Sequence, residues 1–245
     1  MDKKLLKVII PAAVWLTLWA VLAAVVGKEL ILPSPASVAR TLLALAGTAA
    51  FWREVGMSLL RVGAGFLLGA ILGTGLGVVT ASSRWGDLLL APALGAVRTV
   101  PVVSFILLLY FWFPTGWVPA VVSALMALPV VWRSAAEGWE RTDPQLLELA
   151  GHYALGPWRT LKLARLPAAL PSLAAGWETA LGLTWKAGAA AEVLCQPRWG
   201  LGAALQRSKS TLDIPALFAW TAVIVALSGL SGWLLKRLLR KGGRA

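Results

Sequence analysis

Residues 8–27, 62–83 and 214–235 are three runs of at least 20 residues without a single charged side chain. A run of about 20 apolar residues is what a helix needs to cross a bilayer, and inside lipid a helix satisfies its own backbone polar groups. Three further stretches are nearly as apolar. Residues 88–112 contain Arg98 and are expected to be broken by Pro92 and Pro101; residues 117–136 carry Pro119 and Pro129; residues 168–194 carry Glu178, Trp185, Lys186 and Glu192. With 58% hydrophobic and 14% charged residues and a mean hydropathy of +0.75, a soluble domain with a very apolar core is a poor account of the chain. Fourteen tryptophans against two tyrosines suit rings placed at membrane interfaces. The expectation is an all-α polytopic membrane protein of about six spans, forming one domain over residues 1–245.

The first run follows a basic leader, as a cleaved signal peptide would, but is longer than a signal core and lacks a small-residue cleavage site before Lys28. It is therefore expected to stay as a span. Residues 29–56 form a connector, in which residues 37–45 place Val38, Leu42 and Leu45 on one side of a surface helix. In the second run Gly65, Gly69, Gly73 and Gly77 recur every fourth position. Such a stripe lets another helix approach the backbone closely. A nucleotide loop would need a preceding strand and water for the phosphate, and this segment offers neither.

Two cations fall inside expected spans, Arg98 and Lys186. Insertion of such a charge costs about 2.5–3.5 kcal/mol, so each should face protein or water. Arg98 suits either the polar wall of a pathway or a side chain reaching for a carbonyl or headgroup. Lys186 needs a partner or a cavity, and Trp185 stands beside it. Glu178 lies eight residues before Lys186, about 12 Å along a helix, too far to pair with it. With the N-terminus inside, 14 Lys and Arg fall on the inner side and 7 on the outer, which places both termini in the cytoplasm. The net charge of +12 is thus an orientation signal and does not require nucleic acid.

The longest polar interruption, residues 137–167, falls on the inner side. Asp143-Pro144 is a helix start. Leu146, Leu147, Ala150 and Ala154 follow at helical spacing, with Glu148 in the early turns where its charge suits the helix dipole. Gly156-Pro157 then breaks this helix and begins another, in which Arg159, Lys162 and Arg165 share one face until Pro167 ends it. A helix–bend–helix with a basic face, held between two spans, is suited to docking another protein.

These residues resemble the signature loop of the permease subunits of binding-protein-dependent, type I ABC importers. The family pattern is Glu-Ala-Ala, three residues, Gly, nine residues, Ile, one residue, Leu-Pro. Here Glu148-Leu149-Ala150, Ala154 at the glycine, Ala164 at the isoleucine and Leu166-Pro167 stand in those places. Because the expected glycine supplies the bend, Gly156 is the residue available to replace it. Leu32-Pro33-Ser34-Pro35 and Ser58-Leu59-Leu60-Arg61-Val62 with Gly65-Phe66 resemble the nitrate/sulfonate/taurine branch. Arg98-Thr99-Val100-Pro101, Glu192 and Gly200-Leu201-Gly202 are also similar to family elements. The resemblance implies a coupling helix between spans four and five that sits in a groove of a cytoplasmic ATPase. Its candidate residues are Glu148, Ala150, Ala154, Leu155, Gly156, Pro157, Trp158 and Arg159. It further implies two ATPase copies that hold ATP and magnesium, a second permease copy (most simply a homodimer), an extracytoplasmic substrate-binding protein, and residence in the bacterial inner membrane. Arg98, Trp185 and Lys186 are the pathway candidates, and two buried cations favour an anionic solute; heteroaromatic vitamin precursors also occur in this branch.

Other functions fit less well. An intramembrane enzyme needs paired carboxylates, a metal set or an activated nucleophile. Glu178 and Glu192 lie 14 residues apart, about 21 Å on one helix. Cys195 is the only cysteine and His152 the only histidine, so neither a disulfide nor a His or Cys metal set is expected, and no cofactor is expected in this chain. The alternative is a stand-alone ion-coupled carrier using Glu178 and Lys186, which leaves the inner hairpin without a purpose.

Overall fold

The computed structural model describes Lys3 to Gly242, and the side chains of the basic leader and of the last residues of the tail lie outside the described part. Every regular element among the described residues is helical. In chain order these are α1 (Lys3–Val26), α2 (Pro35–Ala46), α3 (Ala49–Ser82), α4 (Arg84–Thr99), α5 (Val102–Trp112), α6 (Val118–Glu140), α7 (Pro144–His152), α8 (Pro157–Thr160), α9 (Leu166–Cys195), α10 (Leu201–Ser210) and α11 (Ile214–Gly242). Among the described helices, α1, α3, α6 and α11 are each long and apolar enough to cross a membrane, and α4 with α5 makes a fifth if counted as one broken span. The 30-residue α9 is long enough, but it carries four polar or charged residues besides its threonines and alanines.

The core is a stack of α3, α6 and α9. The glycine stripe of α3 lies flat on α6, as its spacing predicts. A Cβ on Gly65 would stand 2.3 Å from the Ala120 carbonyl oxygen, on Gly69 2.6 Å from that of Ala124, on Gly73 2.7 Å from that of Leu128, and on Gly77 2.6 Å from that of Trp132. Both numbers rise together, so α3 and α6 run parallel. α9 runs back against them, with Gly188 beside Ser123 and Val62, and Gly138 of α6 beside Ala169. Val62, Phe66, Val131, Ala180, Leu181 and Trp185 fill the centre. α11 closes one side through Trp220 and Val223, while α5 adds Ile106 and Leu109 to a second cluster with Val122 and Ala187. α1 is peripheral, almost wholly exposed, and is tied by the Trp19 indole donating to the Pro33 carbonyl at 3.1 Å and stacking on Phe218.

Three expectations change in whole or in part. The helix carrying the second run begins at Ala49, well before Val62, because Thr48 caps it by accepting the Phe51 N–H at 3.2 Å. Of the two breaks expected in the third stretch, only the one at Pro101 occurs: α4 and α5 meet at 103°, with Val100 extended before Pro101. That is the backbone a residue preceding proline prefers, whereas Pro92 sits inside α4 without breaking it. Finally, Pro167 does not end the basic helix. α8 passes into a wider π-type turn over Leu161–Arg165, in which the Leu166 N–H donates to the Leu161 carbonyl, and continues directly as α9. Such a bulge rearranges the hydrogen-bond ladder just where proline lacks a donor. The second arm of the hairpin is therefore the tip of α9.

The expected surface helix is present as α2. Ser34 accepts the Ser37 N–H at 3.2 Å, Pro35 takes the first position, and Val38 is buried with Leu42 and Leu45 against the core.

Candidate functional site

Functional candidates gather at opposite ends of the α9 rod, about 45 Å apart for its 30 residues. At its start lies the hairpin. Asp143 caps α7 by accepting the Gln145 N–H at 2.9 Å, with Pro144 in the first position. The helix ends in a paired turn: the Leu155 N–H donates to the Ala150 carbonyl at 2.9 Å and the Ala154 N–H to that of Gly151 at 3.0 Å. This is the Schellman arrangement, which puts a left-handed residue directly after the helix cap. Ala154 takes that conformation, with φ of 47°, while Gly156 is extended at φ −61° and serves only to cap α8. The bend therefore stays at the family's position, occupied by alanine, and does not move to the glycine two residues on.

Ala150 is buried under the turn, and Thr160 ties the arms by donating to the Leu155 and Gly156 carbonyls. Between the arms runs an apolar groove of about 140 Å³ lined by Leu146, Leu149, Tyr153, Leu155, Leu163 and Ala164. Around it Tyr153 is 74% and Trp158 72% exposed. Glu148, Pro157, Arg159 and Lys162 are exposed beside it, whereas Arg165 turns back to lie 4.5 Å over the Trp139 ring. Large apolar side chains thus stand exposed on a capped turn, the kind of patch that carries protein, membrane or ligand contacts.

Of the three pathway candidates, Lys186 and Arg98 are exposed, and neither forms an ion pair among the described residues. Lys186 shares its face of α9 with the exposed Thr179 and Leu183. Arg98 occupies the last turn of α4, where its charge suits the helix dipole. Trp185 points the other way, into the core: it is 3% exposed and its indole donates to Ser231 Oγ at 2.8 Å. Glu178 pairs with Lys236 of α11 at 3.5 Å.

At the far end of α9 lies a polar cluster that the residue-by-residue reading did not assemble. Glu192, 1% exposed, accepts from Ser58 Oγ at 2.6 Å and from the Gly202 N–H at 3.0 Å, and pairs with Arg61 Nη1 at 3.1 Å. Ser58 Oγ in turn accepts the Leu201 N–H at 2.8 Å, Arg61 donates to the Trp199 carbonyl, and Glu54 accepts the Gly200 N–H and pairs with Arg207. Glycine is required here by space: a Cβ on Gly200 would fall 2.7 Å from the Glu192 carboxylate carbon, and one on Gly202 2.4 Å from the Ala189 carbonyl oxygen. Three motifs met separately in the sequence thus form one knot joining α3, α9 and α10. A signal was available, since Glu54, Ser58 and Arg61 recur at helical spacing on one face.

Residues 65–242 match the family described as the inner membrane component of binding-protein-dependent transport systems. The chain belongs to that family. It is 28% identical to the taurine transport system permease of Escherichia coli over 94% of this chain and 86% of that protein. It is 30% identical to the riboflavin transport system permease of Chloroflexus aurantiacus over 86% of this chain and 78% of that one. Among solved structures, a chain of the methionine ABC transporter MetNI superposes with a TM-score of 0.58 at 16% identity, covering 82% of this chain and 95% of that chain. The protein is thus an ABC importer permease subunit of the nitrate/sulfonate/taurine branch, a multi-pass membrane protein. It is a non-catalytic subunit, since hydrolysis of ATP takes place on a partner chain.

Proposed function

We propose that this permease receives the motion of two cytoplasmic ATPases through the α7–α8 hairpin and moves a small anionic or heteroaromatic solute, delivered by a binding protein, between two copies of itself. The observation that carries this reading is the hairpin's combination of an open apolar groove, basic flanks and unbroken continuity with α9. A push on Trp158 or Leu163 is transmitted along one rod to the Arg61–Glu192 knot. Glu148, Ala150, Ala154, Leu155, Gly156, Pro157, Trp158 and Arg159 form the docking element in this reading. Lys186 and Arg98 face the pathway, with Trp185 anchoring the turn from which Lys186 projects. α9 counts as a span, the bent α4–α5 pair as another, and both termini lie in the cytoplasm. The solute class rests on the two cations and on relatives named for taurine and riboflavin.

The decisive experiment is co-purification of the tagged permease with its ATPase. Glu148→Lys, or alanine at both Gly156 and Pro157, should release the ATPase while the permease remains folded. Retention of both assembly and ATP-driven uptake in those variants would remove the hairpin from this role.

A further inference from the structure

Residues 196–213 join α9 to α11 and close one end of the helix stack. Gln196 leaves α9 through a left-handed backbone, with φ of 45°. Arg61, Glu54 and Ser58 of α3 then hold the Trp199 carbonyl and the Gly200 and Leu201 amides. α10 turns Leu201 and Ala204 into the main core and leaves Arg207, Lys209 and Ser210 exposed. This cap therefore lies beyond the ends of two spans, not along their flanks. With both termini in the cytoplasm it faces outward, away from the hairpin.

Where the chain enters the cap, two guanidinium groups lie over the Trp199 ring, Arg53 of α3 at 5.7 Å from its centroid and Arg198 at 5.8 Å. Both arginines are exposed, and neither pairs with a carboxylate among the described residues. The ring attracts each cation, while the N–H donors at the guanidinium edge stay free to take a carboxylate. Arg207 and Lys209 carry positive charge on along α10, and the Glu54 that offsets part of it is buried. We infer that this cap recognises an acidic patch on the solute-delivering binding protein, whose carboxylates engage Arg53 and Arg198. The inference rests on the reading that such a protein delivers the solute, and the family is one that depends on a binding protein. Two observations favour a folded protein over anionic lipid headgroups. The cap lies past the span ends, whereas lipids line the flanks. The loop under the two cations is also tied down by the knot, so their spacing is set in advance; a folded partner gains from that, and mobile headgroups have no need of it.

The test measures the binding protein of the same transporter on the permease–ATPase complex, held in nanodiscs of dioleoyl phosphatidylcholine, by biolayer interferometry. Affinity should fall as salt rises from about 50 to 300 mM, because exposed charges are screened over shorter distances. Arg53→Glu combined with Arg198→Glu should weaken binding about tenfold, chiefly through slower association. Arg53→Lys combined with Arg198→Lys keeps both charges and should retain most of the affinity. Arg84→Glu reverses an exposed charge at the other end of the stack and should leave binding unchanged. Since both arginines are exposed, ATPase co-purification and thermal midpoint should match the unaltered complex in every variant. Undiminished affinity in the Glu pair, an equal loss in Arg84→Glu, or an equal loss in the Lys pair would each overturn the surface. So would a Glu pair that keeps its hold on the binding protein but no longer retains phosphatidylglycerol over phosphatidylcholine, which would assign the cations to the bilayer. Absence of binding to the unaltered complex would overturn the delivery reading itself, and this inference with it.

Discussion

Arg61 of α3 and Glu192 of α9 stand 131 positions apart in the chain and 3.1 Å apart in space, in an ion pair shut away from solvent. Both oxygens of Glu192 are used, one by the guanidinium and the other by Ser58 and the Gly202 amide. Removing one partner leaves the other charge buried and unpaired, which costs about 3–5 kcal/mol. Arg61→Met or Glu192→Leu alone should therefore sharply lower the midpoint of detergent-solubilised thermal unfolding. The double variant should recover much of that loss, and additive losses would mean that the pair is not coupled.

Contact between α3 and α6 depends on four missing side chains. Gly69→Ala would put its methyl carbon 2.6 Å from a backbone oxygen that cannot swing aside. Overpacking of this kind costs about 1–3 kcal/mol. Gly75 lies on the same helix with open space around the corresponding position, so Gly75→Ala should be neutral or slightly stabilising through helix propensity. Thermal midpoints of the two variants, measured side by side, separate interface packing from a general intolerance of the helix to substitution.

This interface was legible because a period of four within one segment needs no knowledge of the partner. The Asp143-Pro144 start and the α2 surface helix were legible for the same local reason. Features set by tertiary context were not. The knot at Glu192 draws on residues from three distant segments, and only their helical spacing on α3 hinted at a shared face. Glycine propensity pointed to Gly156 for the bend, yet the hydrogen-bond closure of α7 put the left-handed residue at Ala154. Proline at 167 and at 101 carried the same sequence signal with opposite results. At 167 a π-type turn absorbed the missing donor, while at 101 the chain turned by 103°. Trp185 was grouped with Lys186 because they are neighbours, but adjacent helical residues point about 100° apart, and one is core while the other is surface.

Ala154 holds a left-handed conformation that costs a residue with a Cβ about 1–2 kcal/mol. Ala154→Gly should remove most of that cost and stiffen the hairpin. The expected readout is slower amide hydrogen exchange across residues 150–156, with ATPase assembly preserved. Ala154→Val, whose branched side chain tolerates positive φ still less, should speed exchange there and weaken assembly. Identical exchange in all three proteins would mean that the turn is held by its packing on Ala150 alone.

On the proposed topology Lys186, eight residues and about 12 Å along α9 from Glu178, lies deep in the membrane. A cation at that depth persists only where water or protein faces it. If that face borders the solute's route, Lys186→Met should cut ATP-driven uptake by an order of magnitude or more while leaving permease yield and ATPase co-purification intact. Lys186→Arg keeps the charge and should retain a measurable fraction of uptake. Leu183→Ala, a neighbour on the same exposed face, reports the effect of changing that surface without its charge. Uptake in Lys186→Met equal to wild type would take the residue off the route, and a loss of folded protein matching the loss of uptake would assign it to subunit packing instead.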